Sequence, residues 1–290
     1  MRWQQSRRSG NILDMRGRGG GGLGGMIPGG RGMKLGCGPM ILLGIVALLF
    51  GANPMDLLRL LGGGGGAPVP AEGAPPPAAG EDPAVDFAAA VLGSTEDAWG
   101  QVFSRSGQQY PAPTLVTYSG AVQSACGMGS SASGPFYCPG DQRLYLDLSF
   151  FRELEGLGAP GDFAAAYVIA HEVGHHVQNV EGTLERTQRL QQRLPQAQAN
   201  QVSVQTELQA DCYAGVWGYH AAQQNLLEAG DVEEGLDAAA AVGDDALQRR
   251  GQGVVVPESF THGSSAQRAT WFRRGLETGD PSVCDTFEGL

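Results

Sequence analysis

The stretch AAAYVIAHEVGHHVQNVEG, residues 164–182, decides how the chain is read. It starts as the interior of an apolar helix and is then interrupted by His171, Glu172, His175 and His176. Polar groups buried without partners cost roughly 2–7 kcal/mol each, so they call for a ligand. His171 and His175 are four residues apart. On a helix that is a rotation of about 40° and a rise of about 6 Å, so both imidazoles reach one ion. Glu172 precedes His175 by one turn and faces the same side, where a carboxylate can meet water beside the ion without binding it. His176 sits about 100° further round the helix and reads as a packing residue.

A catalytic zinc ion takes three protein ligands and keeps one position open. An extended HExxHxxGxxH motif would need glycine at 178 and histidine at 181; the residues are Gln178 and Glu181, and Glu181 is set aside. ELQAD, residues 207–211, supplies a better partner. Glu207 and Asp211 share one helical face amid Leu208, Ala210, Cys212 and Tyr213, which is not a solvent-facing context. We read Glu207 as the third ligand and Asp211 as the acceptor behind His171, fixing its tautomer. Such a site hydrolyses peptides through a zinc-bound water whose proton passes to Glu172. It also needs a donor for the tetrahedral oxyanion. His262 in FTHGSSAQR is the candidate, against a structural role anchoring the last helix; Tyr137 and Tyr145 are the other donors considered. His220 falls on a different face from Glu207 and reads as non-catalytic.

Outside this constellation the composition is uneven. Glycine and proline crowd the first eighty positions, as in GRGGGGLGGMIPGGRG and GGGGGAPVPAEGAPPPAAGEDP, which bury too little to order a chain. Residues 1–34 carry Arg2, Arg7, Arg8, Arg16, Arg18, Arg31 and Lys34 against Asp14 alone, although the whole chain has a net charge of −11. The remainder is therefore acidic, which argues against nucleic acid as a partner. Leu35–Met55 contains no charge and is centred on MILLGIVALLFG. The expectation is a basic disordered cytoplasmic tail over 1–34, one transmembrane helix with its flank over 35–61, a linker over 62–84 and a domain over 85–290. The basic side would face the cytoplasm and the domain the outside of a cell membrane. Cys126, Cys138, Cys212 and Cys284 suit an oxidising compartment, and of three pairings we favour Cys126–Cys138 with Cys212–Cys284.

Within the domain, DPAVDFAAAVLGSTEDAWGQVFSRSG has helical spacing and TLVTYSG reads as a strand. Pro139-Gly140-Asp141 marks a turn into Arg143–Asp147, whose alternation predicts a half-buried hairpin strand, either an edge that could receive a peptide or an inner strand. Helices follow after Ser149, from Asp162 as N-cap, on both sides of Pro195, over EEGLDAAAAVGDDALQRR, and from Ser264 with Gln267 in capping-box spacing. The fold class is α+β: a small sheet packed on a helical bundle.

The HExxH and ExxxD pair resembles the gluzincin arrangement of thermolysin-like peptidases. MRWQQSRRSGNILDMRG, GPFYCPGDQRLYLDLSFF, AYVIAHEVGHHVQN, ELQADCYAGVW, GDDALQ and SFTHGSSAQRATWF more specifically resemble the bacterial putative neutral zinc metallopeptidase family, anchored by an N-terminal membrane helix. The resemblance implies a zinc peptidase with His171, His175 and Glu207 as ligands, Glu172 as base, Zn2+ as cofactor, a peptide or protein as substrate and no small-molecule cofactor. A catalytically silent, zinc-stabilised scaffold is the alternative; it would have no need of Glu172. A deformylase-like hydrolase is disfavoured by the ExxxD pair and the apolar run.

Overall fold

The computed structural model describes residues 1–16 and 82–288. The sheet is built from β1 (Ile12–Asp14), β2 (Thr114–Tyr118), β5 (Phe136–Cys138) and β6 (Arg143–Asp147), in the order β1-β2-β6-β5. β1 and β6 flank β2 in parallel, while β5 returns antiparallel to β6 across the Pro139-Gly140-Asp141 turn. β3 (Ala121–Ser124) and β4 (Gly127–Ser130) form a separate hairpin. Arg143–Asp147 is thus an inner strand, and the edge beside the helices is β5.

Both faces of β6 are buried, which corrects the half-buried expectation. Leu144 and Leu146 enter the main core, whereas Tyr145 joins Val116, Tyr118, Val122 and Cys138 in a second cluster. Val122 belongs to the β3–β4 hairpin, so this hairpin covers the face that would otherwise meet water. The Cys126–Cys138 disulfide joins the hairpin turn to β5.

Among the described residues eight α-helices complete the α+β fold: α1 (Pro83–Arg105), α2 (Phe150–Gly156), α3 (Asp162–Val180), α4 (Thr183–Gln191), α5 (Gln196–Gln223), α6 (Asp231–Ala241), α7 (Asp244–Gln252) and α8 (Ser265–Thr278). α1 is capped by Asp82, so the domain's helical part begins earlier than residue 85. Pro195 separates α4 from α5, as its missing N–H and fixed φ require. The segment expected as one helix over 233–250 is broken at Val242–Gly243 into α6 and α7. A side chain at Gly243 would strike the backbone of Ser265, so the break lets α8 begin against it. α8 has the full Ser264/Gln267 capping box. Asp162 opens α3 rather than capping it; Gly161, at φ 115°, makes the entry, and the Glu234 carboxylate accepts from Phe163 N.

Residues 1–16 are not a disordered tail. β1 extends the sheet, Met1 and Ile12 are buried in the core, and Arg7, Arg8 and Arg16 pair with acids on or beside α1. The composition misled because those arginines neutralise partners far along the chain. The expected span over 35–61 and most of the linker lie outside the described residues. Among the described residues, no helix is long and apolar enough to cross a membrane.

α3 is apolar on almost every face and buried accordingly. It meets α5 at Gly174, where a Cβ would come within 2.8 Å of the Ala210 carbonyl oxygen. α5 in turn meets α8 at Gly215 and Gly275, each facing backbone of the other helix. The Cys212–Cys284 disulfide ties the C-terminal turn to the same part of α5. Substituting Gly174 by alanine must push α3 from α5. Gly174→Ala should cost about 1–3 kcal/mol, read as a lowered urea midpoint; an unchanged midpoint would show that the crossing has slack.

Candidate metal centre

α3 presents His171, Glu172 and His175 towards a cleft of about 640 Å³, and α5 brings Glu207 to its floor. His171 Nε2 lies 3.2 Å from one Glu207 oxygen and His175 Nε2 lies 3.4 Å from the other. Zinc–ligand bonds of 2.0–2.1 Å at tetrahedral angles separate ligand atoms by about 3.3 Å. The ligand atoms of His171, His175 and Glu207 all fall within 4.8 Å of one another, so the donor set fits a zinc ion.

The outer nitrogens decide which ring atom faces the centre. His171 Nδ1 is 2.8 Å from Asp211 Oδ1, and His175 Nδ1 is 2.8 Å from Gln178 Oε1. With an acceptor at each Nδ1, both rings keep a proton there, so it is Nε2 that would give up its proton and face an ion. Gln178 is itself fixed, donating from Nε2 to Thr206 O at 2.7 Å and Gln209 Oε1 at 3.0 Å. Its oxygen therefore faces His175. Gln178 was considered only as a position lacking a glycine; its spacing of three from His175 was the signal that could have marked it.

Asp211 carries more than His171. Arg268 on α8 grips both its oxygens, at 2.8 and 2.9 Å, and Tyr167 donates to Asp211 Oδ1 at 2.5 Å. All four side chains are buried. Removing either member of such an ion pair leaves a buried charge, at about 3–5 kcal/mol. Arg268 also lines the cleft, and nothing local in SSAQR pointed to it. Burial alone would push Glu207 up, but the imidazoles of His175 and His171 reverse this and hold it well below the carboxylate range. Burial likewise works against protonated His171, yet Asp211 and Glu207 outweigh it and raise the group to about 9.

Glu172 is buried beside the cleft, and among the described residues its Oε2 has no hydrogen-bond partner. His262 lines the same cleft, with its Nδ1 3.2 Å from Asp244 Oδ1. Asp244 Oδ2 accepts from the backbone N–H groups of Thr261, His262 and Gly263, so one carboxylate shapes the loop that carries the imidazole. The motif GDDALQ had no role assigned from sequence, and Asp244 is the residue it hid.

The other expected residues separate from the centre. His176 is fully buried and donates from Nε2 to Pro111 O at 2.5 Å, while its Nδ1 accepts from Tyr137 at 3.0 Å. Tyr137 lines the cleft, but its hydroxyl is thereby committed, and Asn179 donates to it as well. Tyr145 donates to Asp141 inside the second core cluster, and Glu181 accepts from Tyr213. A second acidic group, Asp162, Asp231 and Glu234, also has ligand-like spacing. The Met1 ammonium stands there, 2.5 Å from Asp162 and 3.3 Å from Asp231, so the group already has a cation.

A cleft that gathers His171, His175, Glu172 and Glu207 beside the buried Arg268 defines a candidate metal-site protein. The chain belongs to the putative neutral zinc metallopeptidase family, whose profile matches residues 1–287. It is 50% identical over 291 residues to the uncharacterized protein YpfJ of Escherichia coli, covering 99% of each chain. It is 40% identical over 190 residues to the uncharacterized protein Rv2575 of Mycobacterium tuberculosis, covering 61% of this chain and 63% of that one. No solved structure matches.

Gln178 is expected to act on metal affinity through His175. Gln178→Leu should weaken zinc binding by about 10–100-fold in a competition titration with a chelating dye. Affinity equal to wild type would remove Gln178 from the site.

Proposed function

We propose that the protein is a zinc-dependent metallopeptidase of gluzincin-like arrangement, with His171, His175 and Glu207 holding the ion and Glu172 as general base. The observation that carries the reading is Glu172 itself: a buried carboxylate oxygen without a partner, on the wall of the cleft, one residue from a candidate ligand. A scaffold that used zinc only for stability would have no reason to bear that desolvation. The family's name supports peptides as the substrate class.

When bound, zinc supplies Lewis-acid polarisation of the scissile carbonyl and acidifies water. The chain's own groups do the rest. Glu172 accepts the proton of the attacking water and passes it to the leaving amine. Asp211 and Gln178 hold the two imidazoles in the tautomers that face the centre. His262 is the donor to the developing oxyanion, kept in place and protonated by Asp244. The Asp244 hydrogen bond raises His262 above its ordinary value despite partial burial. β5 has a free edge on the cleft side, where an extended peptide can add as a further strand. The apolar run over 35–61 supports a membrane as the protein's second partner.

The decisive comparison is cleavage of a random peptide library by wild type and Glu172→Gln, with zinc measured in both. The expected outcome is full zinc content in both and cleavage in wild type alone. Zinc at unit stoichiometry with no Glu172-dependent cleavage would leave the scaffold. His262→Ala should lower kcat by about 10²–10³-fold with KM little changed. The pH profile tests the Asp244 link with a definite sign. A raised His262 keeps its proton to higher pH, so donation is present below its pKa and lost above it. Asp244→Asn removes the cause of the rise, and the alkaline limb of kcat should move to lower pH; an unmoved limb would separate His262 from catalysis.

A further inference from the structure

Residues 1–16 and residues 82–288 are one folded body, and the apolar run lies between them in sequence. Arg2 N donates to Leu226 O at 2.7 Å, and Ser9 N donates to Ala89 O at 2.9 Å. Arg8 binds Asp86 through two nitrogens at 2.8 Å each, and Arg7 reaches both Glu96 and Asp97 at 2.8 Å. β1 pairs in register from Ile12 opposite Leu115 to Asp14 opposite Thr117, and the Thr117 hydroxyl donates to Asp14. α1 is shaped for this segment: a Cβ at Gly93 would stand 2.4 Å from the Arg7 carbonyl oxygen. The two ends of the intervening chain are themselves joined, since Arg16 Nη1 lies 2.6 Å from Asp82 Oδ2.

A chain that leaves a folded body at Arg16 and re-enters it at Asp82 must cross any bilayer an even number of times. One helical crossing needs about 20 apolar residues, and two need about 40. The uncharged run, Leu35–Met55, suffices for one at most. A single crossing would place residues 1–16 opposite the domain. That would strip β2 of one of its two parallel neighbours, expose Ile12 and the core beneath it, and leave Asp86 and Glu96 without their arginines.

We propose that residues 1–16 and the domain occupy the same compartment, so that the chain between them makes no net crossing of a bilayer. This replaces the arrangement with a cytoplasmic N-terminus and the domain outside. The proposal rests on the docking of residues 1–16 and not on the peptidase reading, so either can fail alone.

The test is site-directed labelling of the full chain in sealed spheroplasts with a membrane-impermeant maleimide. In a Cys37→Ser background, one variant carries Gln5→Cys and another Gln101→Cys, both at exposed positions. The ratio of labelling before and after lysis should be the same at the two positions, whether both are reached or both protected. A ratio near one at one position and near zero at the other overturns the proposal. A charge swap guards against variants that misfold. In detergent-solubilised full-length protein Arg8→Asp should lower the urea midpoint, and adding Asp86→Arg should restore most of that loss. An Arg8→Asp midpoint equal to wild type would show that residues 1–16 are not docked, and would overturn it.

Discussion

The candidate site depends on how closely α3 approaches α5. Gly174 lies between the two candidate histidine ligands on α3, and Ala210 lies between Glu207 and Asp211 on α5. The backbone of one helix sits where a Cβ of the other would be, and this lets His171 and His175 face Glu207 at 3.2 and 3.4 Å. Helices held apart by larger side chains run 8–10 Å between axes, and short carboxylates then reach less far. The same device recurs where α5 meets α8 at Gly215 and Gly275, which delivers Arg268 to Asp211. Small residues thus set the distances, and polar residues use them.

Electrostatics explain why so many ionisable groups tolerate burial together. Each is matched to a neighbour: His171 with Asp211 and Asp211 with Arg268 across helices, His175 with Gln178 one turn on along α3, and His262 in its loop with Asp244 on α7. Arg268 offsets one carboxylate of the pair on α5, leaving Glu207 to face the two imidazoles. Without that division two buried carboxylates one turn apart would repel, and one would take a proton. Glu172 is the exception: among the described residues one of its oxygens has no partner, and it stands next to the candidate ligands.

Much of this was legible from local patterns. HExxH and ExxxD each place their residues on one helical face by periodicity alone, and the structure brings those two faces together. Ser264/Gln267, Pro195 and the 139–141 turn were legible for the same reason, because the chemistry is contained within a few residues. What escaped was non-local. Gln178 looked like helix filler, Arg268 like one more base near the C-terminus, and Asp244 like a solvated acid; Arg268 and Asp244 acquire their roles from partners distant in sequence, and Gln178 is held towards His175 by Thr206 and Gln209 on α5. Val242–Gly243 reads as helix until Ser265 is set against it. The N-terminal residues were the largest departure. Their basic, glycine-adjacent composition resembles a tail, and their acidic partners on α1 lie beyond a long low-complexity stretch.

The central claim is the position of the metal, and anomalous diffraction at the zinc edge from crystals of zinc-loaded protein tests it most directly. The account predicts one strong peak about 2.0–2.2 Å from His171 Nε2, His175 Nε2 and a Glu207 oxygen, with Asp211 and Gln178 outside bonding distance. A peak at the Asp162, Asp231 and Glu234 group, or a zinc ion bound without Glu207, would contradict it.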